Sequence, residues 1–199
     1  MARPLILVLG GTRSGKSTFG LSRAAALANG GPIAFLATAM TGSDADAELA
    51  DRIASHRAAR PESWPTIDVG TDLPAAIAKA GADRPILLDG LTLWLSALVG
   101  TVSGGPNDGL IEDPNGSTAP NLDVDGMLDG PIAAGLAAID AHPAPLVVVS
   151  DEIGLGMVPM DALARAFRDL QGIVHQRLAA RADEVVLTVA GLPLALKGP

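Results

Sequence analysis

The sequence predicts an α/β protein in which a mostly parallel sheet is flanked by helices, and three observations lead there. Short, wholly apolar runs rich in branched residues recur along the chain, at Leu5–Leu9, Ile33–Ala37, Pro85–Leu88 and Leu146–Val149. Runs of this kind belong to strands buried on both faces. Ala- and Leu-rich helical stretches separate them, as a strand–helix–strand arrangement requires. The first run passes directly into Gly10-Gly11-Thr12-Arg13-Ser14-Gly15-Lys16-Ser17, which satisfies G-x-x-x-x-G-K-[ST] at every fixed position.

That octapeptide and the following Thr18 form a candidate phosphate-binding loop. Glycines let backbone N–H groups curl round a phosphate, and the helix N-terminus adds partial positive charge. Lys16 reaches the β/γ-phosphates and the Ser17 hydroxyl is placed to ligate Mg²⁺. The apolar strand before the loop and the helix expected over Ser17–Asn29 separate it from a plain glycine-rich turn.

After Gly30-Gly31, Ile33–Thr38 reads as a second buried strand. Its end should open on the same side of the sheet as the loop, because right-handed crossovers put the carboxyl ends of parallel strands together. Asp44–Arg60 reads as a charged helix, capped by Ser43 and stopped by Pro61, and carries Arg52, His56, Arg57 and Arg60. Thr66–Val69 reads as a short strand and Asp72-Leu73-Pro74 as a capped helix start. Pro85–Asp89 is an apolar strand ending in a carboxylate, the Walker B pattern, with Asp89 as the candidate Mg²⁺ residue beside Ser17.

Leu91–Val99 reads as a helix with Trp94 in the core. The stretch 100–130 then changes character: seven Gly, three Pro, three Asn and five Asp give it too little apolar surface to order itself, so a flexible acidic insertion is expected. Pro131–Ala141 resumes a helix, Leu146–Ser150 is a buried strand ending in Asp151-Glu152, Met160–Ala182 is a long helix, Glu184–Val189 a last strand and Gly191–Pro199 a short tail. One domain over 1–199 is expected, with no internal repeat.

At 199 residues the chain carries a formal charge of −8, no cysteine and a positive mean hydropathy. Six of the acids fall within 100–130, where there is no Lys or Arg, so the body is close to neutral. Such a balance argues against a nucleic-acid binder, which needs a basic face. No apolar run reaches the ~20 residues of a membrane span, and no signal peptide is apparent, so a soluble cytoplasmic protein is expected. The absence of cysteine removes disulfides and thiolate chemistry. Asp151-Glu152-Ile153-Gly154 also fits the D-x-x-G of regulatory GTPases, but the N-K-x-D that reads guanine in those proteins does not occur, which marks the match as a decoy.

Taken together, the residues resemble the bifunctional adenosylcobinamide kinase/adenosylcobinamide-phosphate guanylyltransferases of cobalamin synthesis. The resemblance runs nearly end to end. It rests on Gly10–Ser17; on Arg52-Ile53-Ala54-Ser55-His56-Arg57-Ala58-Ala59-Arg60-Pro61 followed by Trp64; on Asp89 with Leu91-Thr92; on Glu152-Ile153-Gly154-Leu155-Gly156-Met157-Val158-Pro159; and on Phe167-Arg168-Asp169 through Gln176-Arg177-Leu178-Ala179 to Ala182-Asp183. It implies a RecA-like phosphate-loop fold, GTP and ATP as nucleotide substrates with Mg²⁺, adenosylcobinamide and its phosphate as acceptors, and a homotrimer. It also implies that His56 carries GMP as a covalent intermediate. An imidazole with a pKa of about 6.5 is largely neutral and nucleophilic at pH 7, which suits that role. Arg52, Arg57 and Arg60 would neutralise a triphosphate, and Glu152 would be a further metal ligand, an indirect partner of the metal or the acceptor for guanine N–H groups. His142 and His175 read as structural. Asp151, Gly90, His175 and the long 100–130 connection depart from the family pattern. The competing expectations are a kinase alone and a nucleotide-binding switch without turnover.

Overall fold

The structure, a computed structural model, describes residues 3–38, 61, 63–102, 110–112, 118–120 and 122–198. A seven-stranded sheet forms its centre, built from β1 (Leu5–Gly10), β2 (Ala34–Ala37), β3 (Thr66–Asp68), β4 (Ile86–Asp89), β7 (Leu146–Asp151), β8 (Glu184–Val189) and β9 (Leu192–Lys197), in the order β3-β2-β4-β7-β1-β8-β9. All neighbours pair parallel except β8 and β9, which are antiparallel. Strand β7 therefore separates the phosphate-loop strand β1 from β4, whose last residue is Asp89.

Alternate residues of each strand enter opposite cores, as the two-residue period of a strand demands. Ile6, Val8, Phe35, Leu87, Val147 and Val149 pack against α1 (Lys16–Ala28) on one face. Leu5, Leu7, Leu36, Leu88 and Val148 face the other helices: α2 (Leu73–Ala80), α3 (Leu91–Val102), α4 (Val124–Asp129), α5 (Pro131–Ala141) and α6 (Ala162–Arg181). At roughly 1.5–3 kcal/mol for each large side chain taken from water, these two cores hold the sheet ends in place. Helix α1 lies close on β7 because Gly20 has no side chain there; a Cβ would sit 2.6 Å from Val149 Cγ2. Trp94 is fully buried, as expected, and its Nε1–H donates to Thr71 O at 3.0 Å.

Two regions differ from the sequence reading. The expected tail after Gly191 is strand β9, because Ala190 and Gly191 both take left-handed φ (52° and 81°) and make the two-residue turn that folds the chain back on β8. Within 100–130, α3 continues to Val102, a β5–β6 hairpin pairs Leu110–Glu112 with Thr118–Pro120, and α4 follows. Helix α4 forms because Asp123 caps it, accepting from Gly126 N–H at 2.9 Å, and because Met127 and Leu128 supply apolar anchors that are buried. Elsewhere the parallel sheet with helices on both faces is the fold expected from the sequence.

Candidate nucleotide site

The carboxyl ends of β1, β2, β4, β7 and β8 meet along one edge, and each ends in groups that sequence periodicity alone would leave as strand termini. From β1 the chain turns through Gly11–Gly15 into α1. Gly15 is the N-cap at φ 93°, a conformation that only glycine adopts without strain, and no side chain caps the helix. The first N–H groups of α1 are thus left for a ligand, beside the positive end of the helix dipole.

The loop is locked from the β8–β9 side. Ser14 is buried, and its hydroxyl lies 2.9 Å from Thr188 Oγ1 while its carbonyl accepts from Gly191 N–H at 2.9 Å. Gly10 allows this approach, since a Cβ would stand 2.3 Å from both Ser14 Oγ and Thr188 Oγ1. Thr12 and Arg13 are exposed on the outer curve of the loop, and Thr18 is exposed in the first turn of α1. Of the candidate loop residues, Ser14 is therefore engaged in holding the loop, while Gly11, Gly15, Lys16 and Ser17 are partly exposed.

Lys16 Nζ stands 2.5 Å from Asp151 Oδ1 and donates to Gly11 O at 3.2 Å. Ser17 Oγ lies 3.5 Å from Asp89 Oδ1 across the gap between α1 and β4. A serine hydroxyl beside a carboxylate is an all-oxygen donor pair, which fits Mg²⁺, an ion that takes few protein ligands and keeps its remaining positions for water and phosphate. Behind Asp89, Thr38 Oγ1 holds Gly90, accepting from its N–H at 2.8 Å and donating to its carbonyl at 2.7 Å.

Glu152 extends from the end of β7. Its N–H donates to Gly10 O at 2.9 Å, and its Oε1 accepts from Gly154 N–H at 2.6 Å. The loop that follows is fixed by two arginines of α6: Arg168 donates to Met157 O (3.0 Å) and Gly154 O (2.5 Å), and Arg165 donates to Pro159 O (3.0 Å) and Met160 O (2.7 Å).

The structure thus assembles Gly10–Thr18, Asp89 and Glu152. His56, Arg52, Arg57 and Arg60 lie outside the described residues. The sequence reading did not place Thr38, Thr92, Ser150 or Asp151 among the site residues, and took His175 as structural; His175 is buried and contacts Ser150 and Glu152. The available signal was position: Thr38, Ser150 and Asp151 are the polar residues at the ends of apolar strands, on the side where open α/β sheets bind ligands. His142 is structural, as expected, bonding Arg84 O at 3.0 Å.

A family model described as cobinamide kinase / cobinamide phosphate guanyltransferase matches residues 6–196. The chain is 39% identical over 193 residues to the bifunctional adenosylcobalamin biosynthesis protein CobP of Pseudomonas aeruginosa, with 96% of each chain covered. It is 38% identical over 195 residues to the protein of the same description, CobU, from Salmonella typhimurium, covering 97% of this chain and 99% of that one. With CobU of Escherichia coli it shares 34% identity over 197 residues, again 97% and 99% of the two chains. Among solved structures it is similar to the flagellar accessory protein FlaH from Methanocaldococcus jannaschii, at 13% identity and a TM-score of 0.45, covering 98% of this chain and 78% of that one.

Proposed function

The chain belongs to the cobinamide kinase / cobinamide phosphate guanyltransferase family, and from that membership we propose that it catalyses both reactions at the site around Lys16. In the first, the hydroxyl of the aminopropanol arm of adenosylcobinamide attacks the γ-phosphorus of ATP or GTP and the nucleoside diphosphate leaves. In the second, His56 attacks the α-phosphorus of GTP, pyrophosphate leaves, and the adenosylcobinamide phosphate then takes the GMP from the histidine to give adenosylcobinamide-GDP.

One observation supports this reading above others. The family match spans residues 6–196 and so takes in the phosphate loop with its Lys16 and Ser17 beside Asp89, together with the Arg52–Trp64 block. Lys16 stabilises negative charge on the phosphates in both steps. The α1 N-terminus and the N–H groups of Gly11–Gly15 seat the phosphates, Arg52, Arg57 and Arg60 neutralise the rest of the triphosphate, and Glu152 lines the nucleotide site. Ser17 and Asp89 would hold Mg²⁺, which when bound offsets charge on the phosphate oxygens.

We further propose a cytoplasmic homo-oligomer, a trimer by the family resemblance. No described helix is long and apolar enough to cross a membrane. Leu192, Leu194 and Leu196 of the edge strand β9 and Leu155, Met157 and Met160 after β7 are all exposed, and assembly of copies would cover such surface. Light scattering on the purified protein reads the subunit number directly.

The chemical test is to incubate the protein with Mg²⁺ and GTP labelled at the α-phosphorus. Label should remain on the denatured chain, be released by acid and survive alkali, as a phosphoramidate does, and be absent from His56→Ala. That variant should retain kinase activity. GTP binding without any retained label would reduce the function to the kinase alone.

A further inference from the structure

Hydrogen bonds run from the end of β7 into the interior as far as His175, whose other ring nitrogen lies near the Glu152 carboxylate. Asp151 N–H donates to Thr92 Oγ1 at 2.8 Å, and Gln171 Nε2 donates to the same oxygen at 3.1 Å. A hydroxyl oxygen accepts two bonds and has one proton to give. With both acceptances used, Thr92 gives its proton to Ser150 Oγ, 3.1 Å away. His175 Nε2, 2.8 Å away, is the remaining partner of Ser150 Oγ, and giving the Ser150 proton there leaves no hydroxyl proton of the chain without an acceptor. In this donor order the His175 proton sits on Nδ1, which lies 3.6 Å from Glu152 Oε2, a charge contact rather than a hydrogen bond.

This chain is enclosed. Ser150 is 0%, Gln171 1% and His175 7% exposed, so each donor and acceptor in it would be costly to leave unmet. Burial, the largest influence, pushes the His175 pKa below its ordinary value against the opposing pull of Glu152 and Asp151. A neutral imidazole is what the donor order requires. The second N–H of Gln171 donates to Asp151 O, so side chains of α3 and α6 hold both the N–H and the C=O of Asp151, whose carboxylate in turn holds Lys16.

We propose that His175 is a positioning residue for the reaction: it aims the Glu152 carboxylate and, through Ser150 and Thr92, fixes the strand end from which Asp151 meets Lys16. Helix α6 thus sets the placement of the two acids that flank the phosphate loop. The proposal rests on the assignment of the β7 end to the nucleotide site. Misplacing groups at such a site by as little as ~1 Å costs up to about 10²-fold in rate.

The test compares His175→Leu, His175→Asn, Ser150→Ala and Glu152→Gln, singly and with Glu152→Gln as background, by kcat and KM for GTP in both reactions and by thermal midpoint. His175→Leu should lower kcat about tenfold or more while KM for GTP moves less than about twofold. His175→Asn, which returns an N–H toward Glu152, should recover most of that loss although it fills the core no better. In the Glu152→Gln background His175→Leu should cost less than it does in wild type, because only the part acting through Ser150 and Thr92 remains. If His175→Leu does not fold, Ser150→Ala removes the proton given to His175 and should reproduce part of the kcat loss in a chain of near wild-type stability. The proposal is overturned if His175→Leu turns over like wild type, or if its full loss recurs in the Glu152→Gln background, the mark of a structural role only. If Glu152→Gln alone leaves both activities unchanged, the site assignment falls and the proposal with it; a damaging Glu152→Gln beside a silent His175→Leu overturns the positioning role alone.

Discussion

Lys16 and Asp151 form an ion pair at 2.5 Å in which the lysine side chain is 12% exposed and the aspartate 34%. On the proposed function, the carboxylate occupies the partner position on Lys16 that a phosphate oxygen would take when nucleotide binds. It must yield as the triphosphate arrives, and its charge opposes that arrival.

Asp151→Asn should therefore bind nucleotide more tightly. An ion pair with one partly exposed partner is worth about 1 kcal/mol, which corresponds to about a fivefold fall in the Kd for GTP, measured by titration calorimetry. An unchanged or weaker affinity would show that Asp151 does not compete for Lys16.

Lys16→Ala should act on chemistry far more than on folding. Both reactions develop or move charge on phosphate oxygens beside Nζ, so a loss of about 10²-fold or more in kcat is expected for each. The thermal midpoint should change little, because what is lost is one ion pair with a partly exposed carboxylate and one hydrogen bond to Gly11 O. A variant that lost one activity and kept the other would separate the two sites that are here made one.

Gly10→Ala places a methyl 2.3 Å from Ser14 Oγ and Thr188 Oγ1 and 2.9 Å from Thr188 O. The hydroxyls can rotate away, but the carbonyl of β8 cannot. Overpacking of this sort costs about 1–3 kcal/mol, readable in urea unfolding, and it should weaken nucleotide binding by unlocking Ser14. Gly11, where a Cβ would meet nothing within 4 Å, is the control: Gly11→Ala should unfold like wild type.

Acid should destabilise the fold partly through two buried histidines. Burial holds the pKa of both His142 and His175 below the ordinary value of 6.5. The unfolded chain then binds protons that the folded chain refuses, so stability rises with pH in that range. The contribution is present above pH 6.5 and is lost as pH falls from there toward the lowered folded values. Urea midpoints measured between pH 7.5 and pH 5 should fall on acidification, with a shallower slope in His142→Gln; an identical slope would remove His142 from the account.

Much of this molecule was legible along the chain, and the reasons are local. A branched apolar run marks a buried parallel strand, so β1, β4, β7 and β8 were found within a residue or so at their ends. The phosphate loop was legible because its chemistry is written in consecutive residues, and Trp94 was recognisable as core from the apolar run around it. The acidic stretch over 100–130 was read by average composition, and averages conceal a helix as short as α4, which stands on one cap and two buried side chains.

The sequence by itself determined the strand–loop–helix unit, the placement of strand ends on one side and the kinship that names the chemistry, because each depends on residue type and near-neighbour spacing. Tertiary structure alone decided which polar groups serve those ends. Ser14 meets Thr188 across 174 positions, Thr92 meets Ser150 across 58, and Ser150 meets His175 across 25. Such pairs have no periodic trace in the chain: the direction in which a buried hydroxyl gives its proton depends on every acceptor around it, and only the packed sheet and helices bring those acceptors together. His175 is the clearest case, an ordinary histidine in an Ala- and Leu-rich helix until folding sets its two nitrogens between Ser150 and Glu152.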